Sequence, residues 1–296
     1  MSGPASAQQR VPTSRAPPPP PRLSRLSFIL SAISISLLLS ATSALDVRDA
    51  SKQPPKARVL FLGDSLTSCS GLNPEFTRGF LSYRRPLWKT AADAGWAPCM
   101  TWVGSRSGCN ARLDRNLKSA DLFPQQHDAY FGRPLSKALN ELGPVLDLRP
   151  DVVVVCLGIN DLILAPSKVD AETIVSALRR QYRKLLTTLL GSSRSRQVIV
   201  LGLPPLEEHI ARKRRIKRAA TLIPSVNVAL SDVIGALSEN HRSRVDLVNV
   251  TDGFAASEML YDGLHPGEAG EQHIARLLAP ALYRAVVPLS GPTSCG

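Results

Sequence analysis

Five short, largely apolar runs recur between residues 57 and 250 of the chain, and longer amphipathic stretches separate them. The runs are Arg58–Leu62, Thr101–Val103, Asp151–Leu157, Gln197–Leu201 and Val245–Val250. Hydrophobicity that is continuous rather than alternating is typical of strands buried on both faces, as in a parallel sheet. A strand followed by a helix, repeated five times, predicts a doubly wound α/β sandwich with right-handed connections.

The predicted helices and the domain limits follow from the same pattern. Amphipathic stretches predict helices at Tyr83–Ala94, Leu135–Leu148, Ala171–Leu190, Ala211–Asn240 (in one or two pieces) and Gly267–Val287. The chain has 296 residues and no visible internal repeat. We therefore expect one domain over residues 57–290 and a short tail at 291–296.

The first 56 residues differ from the rest in composition. Residues 1–25 are rich in proline and arginine, lack apolar periodicity and are expected to be disordered. Residues 26–45 are apolar, follow basic residues and end in the small residues Thr42, Ser43 and Ala44, as a secretory signal peptide does. Cleavage near Ala44 is favoured over the alternative, an uncleaved single-pass signal anchor. In both cases a linker at 46–56 leads to a domain that is expected in the secretory-pathway lumen or outside the cell.

The net charge of +12 is concentrated in two places. One is the leader, and the other is a basic run whose charged residues are Arg212, Lys213, Arg214, Arg215, Lys217 and Arg218. The rest of the domain is nearly neutral, so a nucleic-acid partner is not expected. The basic run is interpreted as a solvated helix face, with contact to an anionic surface or a dibasic processing site as the alternatives.

The five cysteines fit an oxidising compartment. Cys156 lies inside a predicted strand and is expected to be an inert core thiol. Cys69 and Cys109 follow two of the predicted strand ends and are predicted to pair, with Cys99–Cys109 as the competing pair. No CxxC spacing occurs, so no metal site is predicted. The single glycosylation sequon begins at Asn249 and is relevant only to a secreted chain.

Polar residues with complementary chemistry follow the predicted strands. Ser65 comes after the first strand, Gly104 after the second, Asn160 after the third, and Asp262 and His265 after the fifth. Carboxyl ends of parallel strands meet at one edge of a sheet, so these residues are expected to converge there. Taken singly, each fits a helix cap or a turn. Together they are the parts of an acyl-transfer site.

The spacing of Asp262 and His265 has its own physical reason. Three residues apart in a tight turn, the carboxylate can accept the Nδ1–H of the imidazole and leave Nε2 to take a proton from Ser65. The backbone N–H groups of Ser65 and Gly104 and the side-chain amide of Asn160 would form the oxyanion hole.

The motifs Gly63-Asp64-Ser65-Leu66, Gly104, Gly158-Ile159-Asn160-Asp161 and Asp262-Gly263-Leu264-His265 together resemble the SGNH (GDSL) hydrolase family in content and order. The resemblance spans residues 57 to about 287. It implies a flavodoxin-like three-layer α/β/α sandwich with a five-stranded parallel sheet, and a serine esterase that needs no metal or cofactor. Ser65, Gly104, Asn160 and His265 fall on the four positions that name the family, with Asp262 as the third member of the triad.

Finer features indicate a branch of that family. Ser82–Trp88, Trp102–Ser105 and Asp262–Pro266 look like the acetylxylan-esterase branch, carbohydrate esterase family three. The stretch Gln126–Gly132 matches that branch's substrate-side loop only loosely, and His127 is not assigned a catalytic role.

Three functions remain open on the sequence. The first is a serine esterase that removes small acyl groups, acetyl foremost, from carbohydrate. The second is a lysophospholipase or thioesterase that acts on longer acyl chains. The third is a non-catalytic binding protein of the same fold, which the complete set of triad residues disfavours. A membrane partner is expected only if residues 26–45 stay uncleaved.

Overall fold

The apolar runs of the sequence form the strands of one parallel sheet. The computed structural model describes residues 55–68, 82–108, 123–192, 195–207 and 214–290, which all belong to one compact unit spanning 51–296. The strands are β1 (Ala57–Gly63), β2 (Met100–Val103), β3 (Asp128–Ala129), β4 (Val152–Cys156), β5 (Gln197–Leu201) and β6 (Val245–Val248). Their order is β2-β1-β4-β5-β6, every pairing is parallel, and β3 adds to β1 through Leu62 and Gly63.

The order of the five main strands is the flavodoxin-like one, so this prediction is confirmed. β1 and β4 are buried along nearly their whole length because helices flank the sheet. This burial is why both strands read as apolar runs rather than alternating patterns. β3 was not predicted, since two residues are too short for any periodicity.

Ten α-helices occur among the described residues, beside the short 3-10 helices Ala97–Cys99 and Val287–Leu289. They are α1 (Ser65–Ser68), α2 (Arg84–Asp93), α3 (Leu135–Asn140), α4 (Leu142–Asp147), α5 (Ile159–Leu164), α6 (Ala171–Gly191), α7 (Arg214–Gly235), α8 (Glu239–Arg242), α9 (Ala256–Met259) and α10 (Glu268–Val286). Helix α10 packs on α2, and α6 packs on α7. None of the helices in the described ranges is long and apolar enough to cross a membrane.

The single helix predicted at Leu135–Leu148 is instead two short helices, α3 and α4. Pro144 explains the break, because its ring has no N–H for the carbonyl of Asn140 and clashes with that carbonyl in a continuous helix. The prediction for 211–240 resolves into the long α7 and the single-turn α8.

Several predictions fall on residues that the structure does not describe. The leader at 1–25, the segment at 26–45, most of the linker and the tail at 291–296 lie outside the described residues. So do Cys69 and Cys109, and their pairing stays a prediction. Cys99 is disulfide-bonded. Cys156 is a free, buried thiol, and burial raises its pKa well above the ordinary value, as an inert core thiol requires.

The basic run lies at the start of α7. Arg212, Lys213 and the side chains of Arg214 and Arg215 lie outside the described residues. Lys217 is exposed, whereas Arg218 is half-buried and donates to the backbone carbonyls of Pro166 and Val169. Arg218 therefore fastens α7 to the loop before α6 rather than projecting freely from the helix.

Candidate active site

The turn from β1 into α1 presents Ser65 at the carboxyl edge of the sheet. Gly63 ends the strand where a Cβ atom would lie 2.2 Å from the Thr67 hydroxyl, so this position admits no side chain. The Asp64 carbonyl accepts the N–H groups of Thr67 and Ser68, and its carboxylate accepts the N–H of Leu66 at 3.0 Å. These bonds close the single turn of α1, which begins at Ser65.

A chain of hydrogen bonds joins Ser65, His265 and Asp262. The Ser65 Oγ lies 3.1 Å from His265 Nε2, and His265 Nδ1 lies 2.8 Å from Asp262 Oδ2. Because the carboxylate can only accept, Nδ1 carries the proton and donates it to Asp262, which leaves Nε2 to accept from the serine hydroxyl. The structure thus brings together the three residues predicted to form a triad, two of them separated by 200 positions.

The turn that carries the last two residues is held by Asp262 itself. Its Oδ1 accepts the N–H groups of Leu264 at 3.0 Å and His265 at 2.7 Å. Gly263 takes a φ of 81°, a conformation that favours glycine. Partial burial acts to raise the pKa of Asp262, but the hydrogen bond and charge of His265, together with the two backbone donors, hold this pKa below its ordinary value. Asp262 therefore stays ionised and orients the imidazole.

Gly104 lies just past β2, beside the end of β1. A Cβ atom at this position would lie 2.3 Å from the backbone of His127, because Arg106 and His127 form a two-bond antiparallel bridge across the same point. The close approach of two backbones explains why a glycine is needed here.

Asn160 lies in the first turn of α5, after the end of β4. Gly158 precedes it with a φ of 114°, and a Cβ atom there would lie 2.4 Å from the Tyr182 hydroxyl. The Asn160 Nδ2 donates to Asp64 Oδ2 at 3.1 Å and to the Arg133 carbonyl at the longer distance of 3.4 Å. The amide therefore lies between the turn that carries Ser65 and the loop after β3.

Asp64 is the most deeply buried acid of this region. Burial raises its pKa to about 7, and the N–H of Leu66, the charge of His265 and the amide of Asn160 partly oppose that rise. A carboxyl group whose pKa is raised to near 7, beside a candidate nucleophile, is a feature of functional sites. Here its direct contacts are with backbone and with Asn160, so it acts on the geometry of both.

A buried ion pair supports the loop between β3 and α3. The Arg133 side chain is 1% exposed, and its Nη1 donates to the Asp128 carboxylate and carbonyl at 2.9 Å each, while Nη2 donates to Glu141 at 2.8 Å. Asp128 also accepts the hydroxyl of Ser105, the residue after Gly104. Through Ser105 and the Arg133 carbonyl, this pair contacts the surroundings of both Gly104 and Asn160.

His127 belongs to the same scaffold and not to the triad. Its Nδ1 accepts the N–H of Ala129, and its Nε2 donates to the carbonyl of Gly108, each at 3.0 Å. Burial and the nearby Arg84 lower the pKa of His127 to about 4, so the ring is neutral.

Three residues that hold the candidate site residues in place were not predicted from the sequence. They are Asp64, Asp128 and Arg133. Asp64 lies inside the motif Gly63–Leu66, yet nothing in the local sequence shows that it reaches Asn160, 96 positions away. The 126–133 stretch carries no periodic signal, although two opposite charges five residues apart in a loop were the available hint.

One sizeable groove lies away from this site. It has a volume of about 630 Å³ between α7 and the edge of the sheet at β6, and its lining includes Leu206, Val228, Leu247 and the sequon residues Asn249 and Thr251. None of the triad residues lines it. Within the described ranges, no group of three His, Cys, Asp or Glu side chains could hold a metal ion.

A parallel α/β sheet with serine, histidine and aspartate linked by hydrogen bonds at its carboxyl edge defines an ester hydrolase of α/β fold. A family model described as the GDSL-like lipase/acylhydrolase family matches residues 61–273. The chain therefore belongs to the GDSL-like lipase/acylhydrolase family. No curated protein sequence matches the chain.

Solved structures share the fold. An acetyl esterase mutant crystallised with an acetate ion is 22% identical with a TM-score of 0.60, covering 79% of this chain and 100% of its own. A carbohydrate esterase of family 3 from Talaromyces cellulolyticus is 21% identical with a TM-score of 0.59, covering 78% and 98%. A lipase/acylhydrolase from Enterococcus faecalis is 18% identical with a TM-score of 0.53, covering 78% and 98%.

Proposed function

We propose that this protein is a serine esterase that removes small acyl groups, acetyl foremost, from carbohydrate through an acyl-enzyme on Ser65. The observation that carries the proposal is the unbroken hydrogen-bond chain from Ser65 through His265 to Asp262, with spacings of 3.1 and 2.8 Å. Both distances lie within the range over which a general base acts on a nucleophile.

The first half-reaction forms the acyl-enzyme. Ser65 Oγ attacks the ester carbonyl carbon while His265 Nε2 takes the hydroxyl proton, and Asp262 stabilises the resulting imidazolium. The carbonyl oxygen becomes an oxyanion that the N–H groups of Ser65 and Gly104 and the amide of Asn160 receive. The bond from the carbonyl carbon to the alkoxy oxygen then breaks, and the imidazolium gives its proton to the leaving alcohol.

The second half-reaction releases the acid. Water attacks the acyl carbon, His265 takes a proton from this water, and Ser65 Oγ leaves with that proton as the free carboxylic acid forms. The Asn160 amide can donate to this oxyanion in place of its long 3.4 Å hydrogen bond to the Arg133 carbonyl. It keeps the shorter hydrogen bond to Asp64.

Two of the similar solved structures support acetyl as the acyl group and carbohydrate as the alcohol. One is an acetyl esterase crystallised with an acetate ion, and the other is a carbohydrate esterase. At 21–22% identity they share the fold, and the substrate comes to this chain only as a proposal.

Initial rates on nitrophenyl acetate, butyrate and palmitate, beside acetate release from acetylated xylan, test the proposal. We expect the highest kcat/KM on the acetate, release of acetate from xylan, and loss of both activities in Ser65→Ala. A preference for palmitate would instead support a lysophospholipase or thioesterase. Absence of hydrolysis on all four substrates by folded protein would support a binding protein and overturn the proposal.

A further inference from the structure

Phe131 is the exception among the phenylalanines of the described residues. It exposes 53% of its surface, whereas Phe61, Phe123 and Phe254 are buried. A single exposed apolar side chain is ordinary on a protein surface. The position of this one relative to His265 is what distinguishes it.

The Phe131 ring lies beside the imidazole of His265. Their centroids are 6.4 Å apart and their planes differ by 22°, and the ring of Tyr261 is also nearly parallel to the imidazole, at 5.8 Å and 20°. An exposed aromatic face thus borders the residue that exchanges protons with substrate in the proposed reaction.

The backbone around Phe131 is anchored on both sides. Ala129 pairs with Gly63 in the sheet, the Tyr130 N–H donates to the Gly63 carbonyl at 3.2 Å, and the Arg133 N–H donates to the Tyr130 carbonyl at 3.2 Å. Gly132 takes a φ of 68° between them. The same strand end that leads into Ser65 therefore places Phe131.

The side chains next to Phe131 are less exposed than its ring, since Tyr130 is half-buried and Arg133 is buried. Tyr130 is covered by the guanidinium groups of Arg106 and Arg133, at 4.6 and 4.7 Å from its ring centroid. Arg133 is in turn held by Asp128 and Glu141. These contacts hold the loop that carries Phe131, and a loop already held in place binds a ligand with little loss of conformational entropy.

We propose that Phe131 is the stacking platform for the pyranose ring of the ester's alcohol component. The inference rests on the proposed function, in which His265 Nε2 hands its proton to the leaving alcohol, so that the alcohol component departs past the imidazole. One face of a pyranose ring is lined by C–H groups and packs against an aromatic face, while its hydroxyls remain free for polar partners.

The surroundings favour a sugar over an alkyl chain. Ser105 and Arg106 contact Tyr130, and Asp262 contacts His265, so polar side chains border both neighbours of Phe131. The other exposed large apolar residues of the described part are Leu164, Val228, Leu247 and Tyr283. Val228 and Leu247 line the groove at β6, and Tyr283 contacts Trp96, so these three do not extend the Phe131 platform.

The test compares a ring-bearing ester with a ringless one. We would measure kcat/KM for acetate release from methyl tri-O-acetyl-β-xylopyranoside and from ethyl acetate with wild type, Phe131→Leu and Phe131→Tyr. We expect Phe131→Leu to lower the xylopyranoside-to-ethyl-acetate ratio of kcat/KM about 3- to 10-fold, the range that loss of one aromatic stacking contact produces. Phe131→Tyr retains a ring and should keep the ratio within about twofold of wild type.

Tyr283→Leu is the matched control, because it removes the other exposed aromatic ring of the described residues, on α10. It should leave both rates unchanged. An unchanged ratio in Phe131→Leu, or an equal fall on both esters, would overturn the platform even while acetate hydrolysis confirms the proposed function.

A binding measurement keeps the inference testable if hydrolysis fails. Saturation-transfer NMR of the same xylopyranoside with Ser65→Ala should show transfer to the C–H face of the ring, and the additional Phe131→Leu substitution should remove that transfer. Transfer that persists with Phe131→Leu, or no transfer to Ser65→Ala at all, would also overturn the platform.

Discussion

The side-chain amide of Asn160 donates to the carboxylate of Asp64 across 3.1 Å, although 96 positions separate the two residues. Asp64 also accepts the N–H of Leu66 and so holds the turn that presents Ser65. One buried carboxyl group therefore sets the relative position of the candidate nucleophile and of a candidate oxyanion donor. Neither motif alone contains this information.

Ser65 and His265 should behave as one functional unit. We expect Ser65→Ala and His265→Ala each to reduce esterase activity to a similarly low residual level. The double variant should be little less active than either single variant, because effects within one triad are strongly non-additive. Initial rates on nitrophenyl acetate measure this, with circular dichroism as the control for folding. Near-wild-type hydrolysis by the folded Ser65→Ala variant would contradict a covalent mechanism on Ser65.

Asn160→Ala should give a different result from the triad variants. It removes an oxyanion donor and leaves the nucleophile, so kcat should fall about 10²- to 10³-fold. Labelling of Ser65 by a fluorophosphonate probe should persist at a lower rate, and Ser65→Ala is the unlabelled control. A complete loss of labelling would show that Asn160 positions the nucleophile itself.

Asp64 should make stability depend on pH. Burial raises its pKa from 3.8 to about 7, so between these values the folded protein keeps a proton that the unfolded chain has lost. The free energy of unfolding therefore falls as pH rises through this window and levels off above it. Between pH 5 and pH 8, wild type should lose roughly 2–3 kcal/mol from this group.

Asp64→Asn is the variant that isolates this effect. The amide cannot accept from both Leu66 and Asn160, so the variant should be less stable at every pH, but its loss of stability between pH 5 and pH 8 should be smaller. Urea denaturation at the two pH values measures both quantities. Asp161, whose pKa burial raises to about 6, is present in both proteins and cancels. Equal pH dependence in the two proteins would contradict the prediction.

The buried Arg133–Asp128 pair should show strong coupling. Arg133→Met leaves the Asp128 carboxylate buried without its guanidinium, so we expect a loss of about 3–5 kcal/mol in the free energy of unfolding. Glu141→Gln alters the half-exposed contact of the same arginine and should cost less than about 1 kcal/mol. Arg133→Met combined with Asp128→Asn should lose less than the two single losses added together, as measured by a denaturant double-mutant cycle. Simple additivity would argue against a coupled pair.

The domain is expected on the lumenal side of a membrane or outside the cell, because of the signal-like segment at 26–45. Microsomes that carry the full-length chain should protect residues 57–290 from added protease until detergent is present. Digestion of intact microsomes would place the domain in the cytosol and remove the basis for a secretory site of action.

The parallel sheet and the five residues of the candidate site could be predicted from the chain because their signals are local. Each of the five main strands is a largely apolar run. Asp262 and His265 lie between the last strand and the last helix, whereas Ser65, Gly104 and Asn160 follow a strand within a few positions. In a parallel sheet, that position alone places a residue at the common carboxyl edge. The break between α3 and α4 was also available locally in Pro144, and the prediction of one helix was wrong because amphipathic periodicity was followed across it.

By itself, the sequence determined the α/β class, the positions of the five main strands and which side chains meet at the candidate site, since backbone hydrogen bonding and apolar burial act over a few residues. Only the tertiary structure decided how those side chains are supported and how the cleft is lined. Asp128 lies in the two-residue β3, and Phe131 and Arg133 lie in the loop after it, so the stretch has no periodicity. Their roles depend on contacts with Ser105, Asn160 and His265, which follow distant strands. Such contacts form only when the sheet brings those strand ends together, because the energy of a buried ion pair or a stacked ring comes from its partner and not from its neighbours in the chain.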